Sequence, residues 1–316
     1  MMENCSTVNK GVFSAVVRAN KRIGDRFYRL GLEFAGAAAA AFAAAKPGQF
    51  LELDLADVPL PSTETIPADL ADTAQRNILL RRPFSFADVT AEGEKSFIEI
   101  LYRVLGPATL RMTTLSTSNS VSVIGPLGNG FQVPEDKKTA LLVAGGMGAG
   151  PLLFLAKLFT EDFSDIEVIA FAGAKTAKQL PFERRLDKLS QRLGFSIAEF
   201  AGYGIKSLVA TDDGSMGFAG LVTDYLSKWL KKADLAGEHT IIYGCGPQPM
   251  LAKVAEIADS FGIDCQVSME RMMACGIGLC QGCAVECKVA DSGDTIYKMC
   301  CKDGPVFNRN EVVFSM

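Results

Sequence analysis

A chain of 316 residues, 48% of them hydrophobic, can bury about two ordinary domains and a small appendage. Its 32 basic and 36 acidic side chains leave a net charge of −4 with no long basic run, which argues against nucleic acid or an anionic membrane surface as partner. The opening MMENCSTVNKGVF lacks the charged-then-apolar pattern of a secretory leader, and the alanine-rich Ala35–Ala45 falls far short of the roughly 20 residues of a bilayer span, so a cytoplasmic protein is expected.

The first third predicts β-strands. Apolar and polar residues alternate over short runs in VFSAVVRANKRIGDRFYRLGLEF, PGQFLELDL follows a Pro-Gly turn, and FIEILYRVL and VSVIGPLG repeat the pattern. An antiparallel barrel over residues 8–135 is the natural closure. Two stretches interrupt it, the low-complexity Ala35–Lys46 and the proline-bearing Ala56–Asn77, and both are expected to be surface loops. Arg82-Pro83-Phe84-Ser85 also lies here. Its arginine offers a bidentate fork for a phosphate and its serine hydroxyl can bond a ring nitrogen, yet alone the motif is more often a surface arginine beside a core phenylalanine.

From about Lys137 the pattern changes to strand–loop–helix, which predicts an α/β domain over residues 136–268. TALLVA reads as a buried strand, GGMGAG as a flexible loop, and Pro151 as the start of the helix PLLFLAKLF, where its missing N–H costs nothing. IEVIAFAGA, FSIAEFAG and HTIIYGCG read as further strands, with GLVTDYLSKWL and PQPMLAKVAEIADSFG as helices. A parallel sheet with helices on both faces is expected. The glycines of GGMGAGP can turn backbone N–H groups and a helix N-terminus toward a pyrophosphate. The loop is not a G-x-G-x-x-G fingerprint, and the second strand runs into Gly173-Ala174-Lys175 where a ribose-binding acid would stand, so NAD and NADP both remain open. Cys245, in GCGPQPM, reads alone as a small buried residue at a strand end.

Residues 269–316 carry the cysteines. Cys275, Cys280 and Cys283 follow C-x4-C-x2-C within RMMACGIGLCQGCAVEC, the three-thiolate run of a plant-type [2Fe–2S] loop. Soft thiolates suit the irons, and Gly276, Gly278 and Gly282 let the backbone fold tightly around an inorganic core. A fourth thiolate must come from YKMCCKDGPVF, where Cys300 and Cys301 are adjacent and only one is expected to ligate. Zinc usually takes its ligands as two short knuckles, and an odd count of nine cysteines in a chain without secreted character argues against disulfides. A Rieske centre needs two histidines, and only His239 exists. Cys5, Cys265 and Cys287 read as structural or incidental, since Cys287 does not complete a bacterial [4Fe–4S] run.

Arg-Pro-x-Ser in a barrel, GGxGxxP opening an α/β domain and Cys-Gly-Pro-x-x-Met after its late strand occur here in the order seen in the ferredoxin–NADP reductase superfamily. More narrowly, LLRRPFSF, LYRVLG, IGPLGNGF, VAGGMGAGPL, TDDGSMG, YGCGPQPM, MACGIGLCQGCAVEC and CKDGPVF, spread from about residue 47 to the C-terminus, resemble the electron-transfer subunits of dihydroorotate dehydrogenase B. The resemblance implies that Arg82, Pro83, Phe84 and Ser85 bind FAD, with Leu101, Tyr102, Arg103, Ala108 and Thr109 completing the flavin site. It implies that Gly145, Gly146, Gly148 and Gly150 cradle the phosphates of NAD, and that Cys245, the candidate catalytic residue, sits by the nicotinamide with Gly246 and Pro247. It further implies that Cys275, Cys280, Cys283 and Cys301 hold the cluster, Cys301 being the cysteine directly before Lys302-Asp303-Gly304-Pro305. The chain departs from the family at Gly106-Pro107-Ala108-Thr109, where Gly-x-Gly-Thr is usual, at the Cys300-Cys301 doublet and at its two insertions.

Nicotinamides exchange two electrons as hydride whereas a [2Fe–2S] cluster takes one, so FAD is needed between them. Barrel, nucleotide domain and cluster segment account for the chain, so the organic substrate is expected to react on another protein. The resemblance supplies that protein: an FMN-containing catalytic subunit that oxidises dihydroorotate to orotate in pyrimidine biosynthesis, joined in a heterotetramer. A ferredoxin-linked NADP reductase, hydrogenase or sulfite reductase subunit is the alternative, and a 2′-phosphate site near Lys175, Lys178 or Arg184 would favour it. From another class, a flavin-less iron–sulfur scaffold predicts that no flavin is released on denaturation.

Overall fold

The computed structural model describes residues 10–182, 184–185, 196–290 and 292–314. Cys5 and the side chain of Arg184 lie outside the described part. Strands β1 (Gly11–Arg22), β2 (Phe27–Ala35), β3 (Phe50–Leu53), β4 (Arg82–Glu92), β5 (Lys95–Arg103) and β6 (Ser120–Leu127) close into a barrel in the order β1-β2-β5-β4-β3-β6. Every ladder in it is antiparallel. The period-2 alternation sends Val17, Leu30, Leu32, Leu51, Leu53, Phe86, Ile98, Ile100 and Val123 inward as one apolar core, and closure leaves no strand edge unpaired.

The alanine-rich stretch is not a surface loop. Ala37–Ala43 form helix α1, with Ala38, Ala39, Ala41 and Phe42 buried. Phe42 stacks on Phe34 with ring centroids 4.0 Å apart and meets Phe13 and Phe86 edge-on, so α1 is packed into the barrel's core. Alanine is the best helix former, and one aromatic anchor is enough to hold so short a helix by tertiary packing. The second insertion does run over the surface, but it is pinned. It contains two 3₁₀ turns and α2 (Ala71–Ala74), Arg26 pairs with Asp69, and Arg111 donates to the Ala74 carbonyl at 3.1 Å.

Helix α3 (Pro107–Met112) precedes β6, after which the α/β unit begins. Its elements are β7 (Thr139–Gly145), α4 (Ala149–Asp162), β8 (Glu167–Ala174), a short ribbon of β9 (Arg184–Arg185) and β10 (Ser196–Ile197), α5 (Ala198–Gly202), β11 (Lys206–Thr211) and β12 (Phe218–Ala219). Then come α6 (Val222–Leu230), β13 (Thr240–Cys245), α7 (Gln248–Phe261) and β14 (Asp264–Ser268). Strands run parallel in the order β12-β11-β8-β7-β13-β14, and β7 is buried end to end, as a sheet covered on both faces requires.

One strand was misplaced by the sequence pattern: most of FSIAEFAG is α5, and the strand is KSLVAT just after it. Gly204, at φ 71°, is the cause. It ends α5 in the left-handed conformation while the N–H of Ile205 returns to the carbonyl of Phe200, a Schellman closure that restarts the chain as β11. Helix α4 begins at Ala149, so Pro151 stands inside the first turn rather than at its start.

The cysteine segment adds a hairpin of β15 (Ala284–Lys288) and β16 (Thr295–Met299), then β17 (Val306–Asn308). Strand β17 pairs antiparallel with β14, giving the sheet a seventh strand drawn from the tail. Among the described residues no helix is long and apolar enough to cross a membrane.

Candidate functional site: a two-domain cleft and an adjoining thiol loop

A cleft opens where the barrel meets the C-terminal ends of the parallel strands. From the barrel it is lined by Pro83, Phe84 and Ser85 on β4, Leu101, Tyr102 and Arg103 on β5, and Thr109 on α3. From the α/β unit come Gly148, Gly150, Cys245 and Gly246. These residues, scattered over more than 160 positions of sequence, share one space because β13 lies beside β7 and α4 packs on β4.

The predicted residues divide into those that face the cleft and those that build it. Arg82 is of the second kind here: its guanidinium donates to the Leu80 carbonyl at 2.7 Å and to that of Arg81 at 3.1 Å, and it does not line the cleft. Arg103 does line it, over the Phe27 ring at 5.4 Å, and its buried Nε has no hydrogen-bond partner. Tyr102 donates to Asn20 at 3.0 Å and stacks on Tyr28, and burial raises its phenol well above the ordinary value. Thr109 accepts the N–H groups of Leu105 and Gly106, so its hydroxyl caps α3, while Ala108 is buried behind it.

On the nucleotide side the glycines are there for close approach. A Cβ on Gly148 would overlap the carbonyl of Cys245, and one on Gly145 would strike Met250 and Pro247, so the β7 loop and the GCGPQPM loop are packed backbone to backbone. Gly145, Gly146 and Pro247 do not line the cleft, Pro247 serving as the N-cap of α7. Burial pushes the Cys245 thiol up to about 12, against the Ser268 hydrogen bond, so it is a neutral group at the cleft wall. Phe50, Leu105, Met147, Ser268, Met269, Glu270, Arg271 and Met273 also line the cleft and were missed by sequence reasoning. For Phe50 a signal existed, since β3 must show its alternate residues to the outside of the barrel.

The thiols form two pairs. Cys275 lies next to Cys280, whose N–H points at the Cys275 sulfur at 3.4 Å. Cys283 and Cys301 have sulfurs 3.3 Å apart, and the N–H of Cys301 faces the Cys283 sulfur at 3.5 Å. Cys300 points the other way, to the Met269 carbonyl at 3.3 Å. Desolvation raises the Cys275 thiol, but N–H groups of Cys280, Ile277 and Leu279 outweigh it and lower the group to about 6. Among the described residues no three Cys, His, Asp or Glu side chains converge as a single ion requires. The two pairs lie close enough for the charge of Cys275 to act on Cys301.

Residues 270–313 match the family model described as the iron–sulfur cluster binding domain of dihydroorotate dehydrogenase B, and residues 142–256 match the oxidoreductase NAD-binding domain. In solved structures the chain resembles an NADH-dependent reduced ferredoxin-NADP oxidoreductase (TM-score 0.70, 25% identity, 96% of this chain and 90% of that one). It also resembles a ferredoxin NADP+ reductase from Neisseria gonorrhoeae with bound FAD and NADP (TM-score 0.54, 14% identity, 79% and 92%), a likeness of fold alone. Among curated relatives, the dihydroorotate dehydrogenase B (NAD(+)) electron transfer subunit of Caldanaerobacter subterraneus is 35% identical over 95% of this chain and 98% of its own. That of Bacillus velezensis is 34% identical over 94% and 96%. Identity at this level along nearly the whole of both chains, with the tail matching the family's own cluster-binding model, makes the chain a member of the dihydroorotate dehydrogenase B electron-transfer subunit family.

Proposed function

We propose that this chain carries electrons from an FMN-containing subunit that oxidises dihydroorotate, by way of a [2Fe–2S] cluster and FAD, to NAD+. The observation that carries the reading is the junction itself: one cleft walled by both domains, with Phe50 both in its wall and in the apolar cluster that contains Cys283 and Cys301. The donor set fits the cluster. Cys275 with Cys280, and Cys283 with Cys301, would each hold one iron, with backbone N–H groups already aimed at three of the sulfurs. Cys300, turned to a carbonyl, is left out.

The cleft fits a flavin and a nicotinamide. Pro83, Phe84 and Ser85 with Leu101 and Tyr102 offer a flat, largely apolar wall, and Arg103 offers an unpaired N–H for an anionic group. Arg82, freed from its two carbonyls, would serve the same anion. Gly148 and Gly150 leave the backbone open for phosphates at the start of α4, and the neutral Cys245 thiol would pack against the nicotinamide beside Gly246 and Pro247, excluding water without adding charge. When bound, FAD exchanges hydride with the nicotinamide and single electrons with the cluster. In this reading residues 8–135 serve the flavin, 136–268 the nicotinamide and 269–316 the cluster, in a cytoplasmic heterotetramer. The NAD(+) in the relatives' names favours NAD over NADP.

Stopped-flow absorbance tests the reading. Dihydroorotate should bleach flavin and cluster only after the FMN-containing subunit is added, while the chain alone should oxidise NADH with an artificial one-electron acceptor. Turnover of dihydroorotate by the isolated chain would overturn the proposal.

A further inference from the structure

Strand β3 gives Leu51 and Leu53 to the barrel core, so its alternation turns Phe50 and Glu52 outward. That outer face is covered by the tail. Phe50 belongs to the apolar cluster that contains Cys283 and Cys301, and Glu52 is 0% exposed. Neither carboxyl oxygen of Glu52 has a hydrogen-bond partner. A Cβ on Gly276 would overlap Oε1 of Glu52, so the carboxyl rests directly on the backbone beside Cys275.

A buried carboxyl without a partner is costly, and a leucine would fill the same place without that cost. The groups facing it are Cys275 on the loop and, before and at the start of β4, Arg81 and Arg82. Both arginines are engaged elsewhere, Arg81 with Ser122 and Asp54 and Arg82 with backbone carbonyls.

We propose that Glu52 is a charge placed by the flavin barrel to tune the [2Fe–2S] cluster, making it harder to reduce. The inference rests on the cluster reading above and deepens it. Reduction potentials of such clusters follow the net charge and hydrogen bonding around their sulfurs, and a carboxylate acts strongly across a dry interior. Glu52 also lies on the strand paired with Pro83, so the same strand that walls the cleft sets the electrostatics of the loop. Electron flow between the two centres is thereby adjusted by a residue that ligates neither.

The test is an EPR-monitored redox titration of the cluster in the purified full chain at pH 9, for the wild type and Glu52→Gln. Glutamine should shift the midpoint upward by about 59 mV, a tenfold change in a one-electron equilibrium, with cluster and flavin content unchanged. Glu33→Gln, which removes the same charge from β2, should leave the cluster where it was. An unmoved potential in Glu52→Gln overturns the proposal, as does an equal shift in Glu33→Gln. Loss of the cluster from Glu52→Gln also overturns it, because the isostere removes charge and not volume. Absence of any cluster signal in the wild type would instead defeat the cluster reading, and the proposal with it.

Discussion

The barrel and the cysteine segment are held by opposite means. The barrel closes on its own apolar interior, with α1 packed into it and every edge paired. The cysteine segment has one hairpin and one strand, and its buried residues Cys283, Val285, Cys287, Cys300, Cys301, Phe307 and Val312 belong to the core of the neighbouring sheet. A region with its own core can vary its loops freely, whereas a region that borrows a core must be fixed where it touches, by strand pairing and by whatever its thiols bind.

The largest expected contrast lies in the Cys300-Cys301 doublet. Cys301→Ser should abolish the cluster's visible absorbance and EPR signal while Cys300→Ser keeps both, and neither should unfold the barrel by near-UV circular dichroism. The reverse outcome would exchange the two roles. In the barrel, Phe42→Ala removes the α1 anchor and should cost about 3–5 kcal/mol in denaturant unfolding, with cluster absorbance unchanged in the folded fraction. If the cluster signal fell in step at low denaturant, the two regions would be one cooperative unit and the comparison would fail.

Smaller effects sharpen the boundary. Arg103→Ala should weaken FAD retention by about 1.5–3 kcal/mol, the worth of a hydrogen bond to a charged group, measured as flavin stoichiometry after dialysis. Full retention would remove Arg103 from the site. The smallest effect is at Glu33, whose carboxyl is lowered to about 2 by hydrogen bonds from Arg18 and Lys95. A depressed carboxylate contributes stability above its unfolded value, near 4.5, that is lost as pH falls toward about 2. Glu33→Gln should therefore lower the melting temperature at neutral pH and converge with the wild type near pH 2, without altering the cluster spectrum.

Much of this fold was legible because its elements repeat one local rule. Barrel alternation and the buried runs TALLVA and HTIIYGCG place β1, β2, β3, β5, β6, β7 and β13, whereas β4 follows only from its pairing with β3 and β5. The failures have physical causes. Ala37–Ala43 is too short a helix to stand alone and forms because Phe42 packs on Phe34, which no local pattern shows, and α5 ends at Gly204 only through its left-handed φ. In the site, motif residues were legible as chemistry, but which of them face the cleft was not. Pro247 caps α7 and stays out of the cleft, whereas Glu270 and Arg271 reach it only because β14 ends there. Glu52 carried no signal at all, since its burial comes from a loop over 200 residues away.

The pairing of β17 with β14 reaches beyond electron transfer. Without it, β14 would end the sheet as an open row of N–H and C=O groups beside a nearly all-apolar sheet, the template on which chains add to one another. The segment that holds the thiols thus doubles as a guard against aggregation. A cell that fails to load the metal, and so loosens the tail, would lose the protein to insolubility as well as to inactivity.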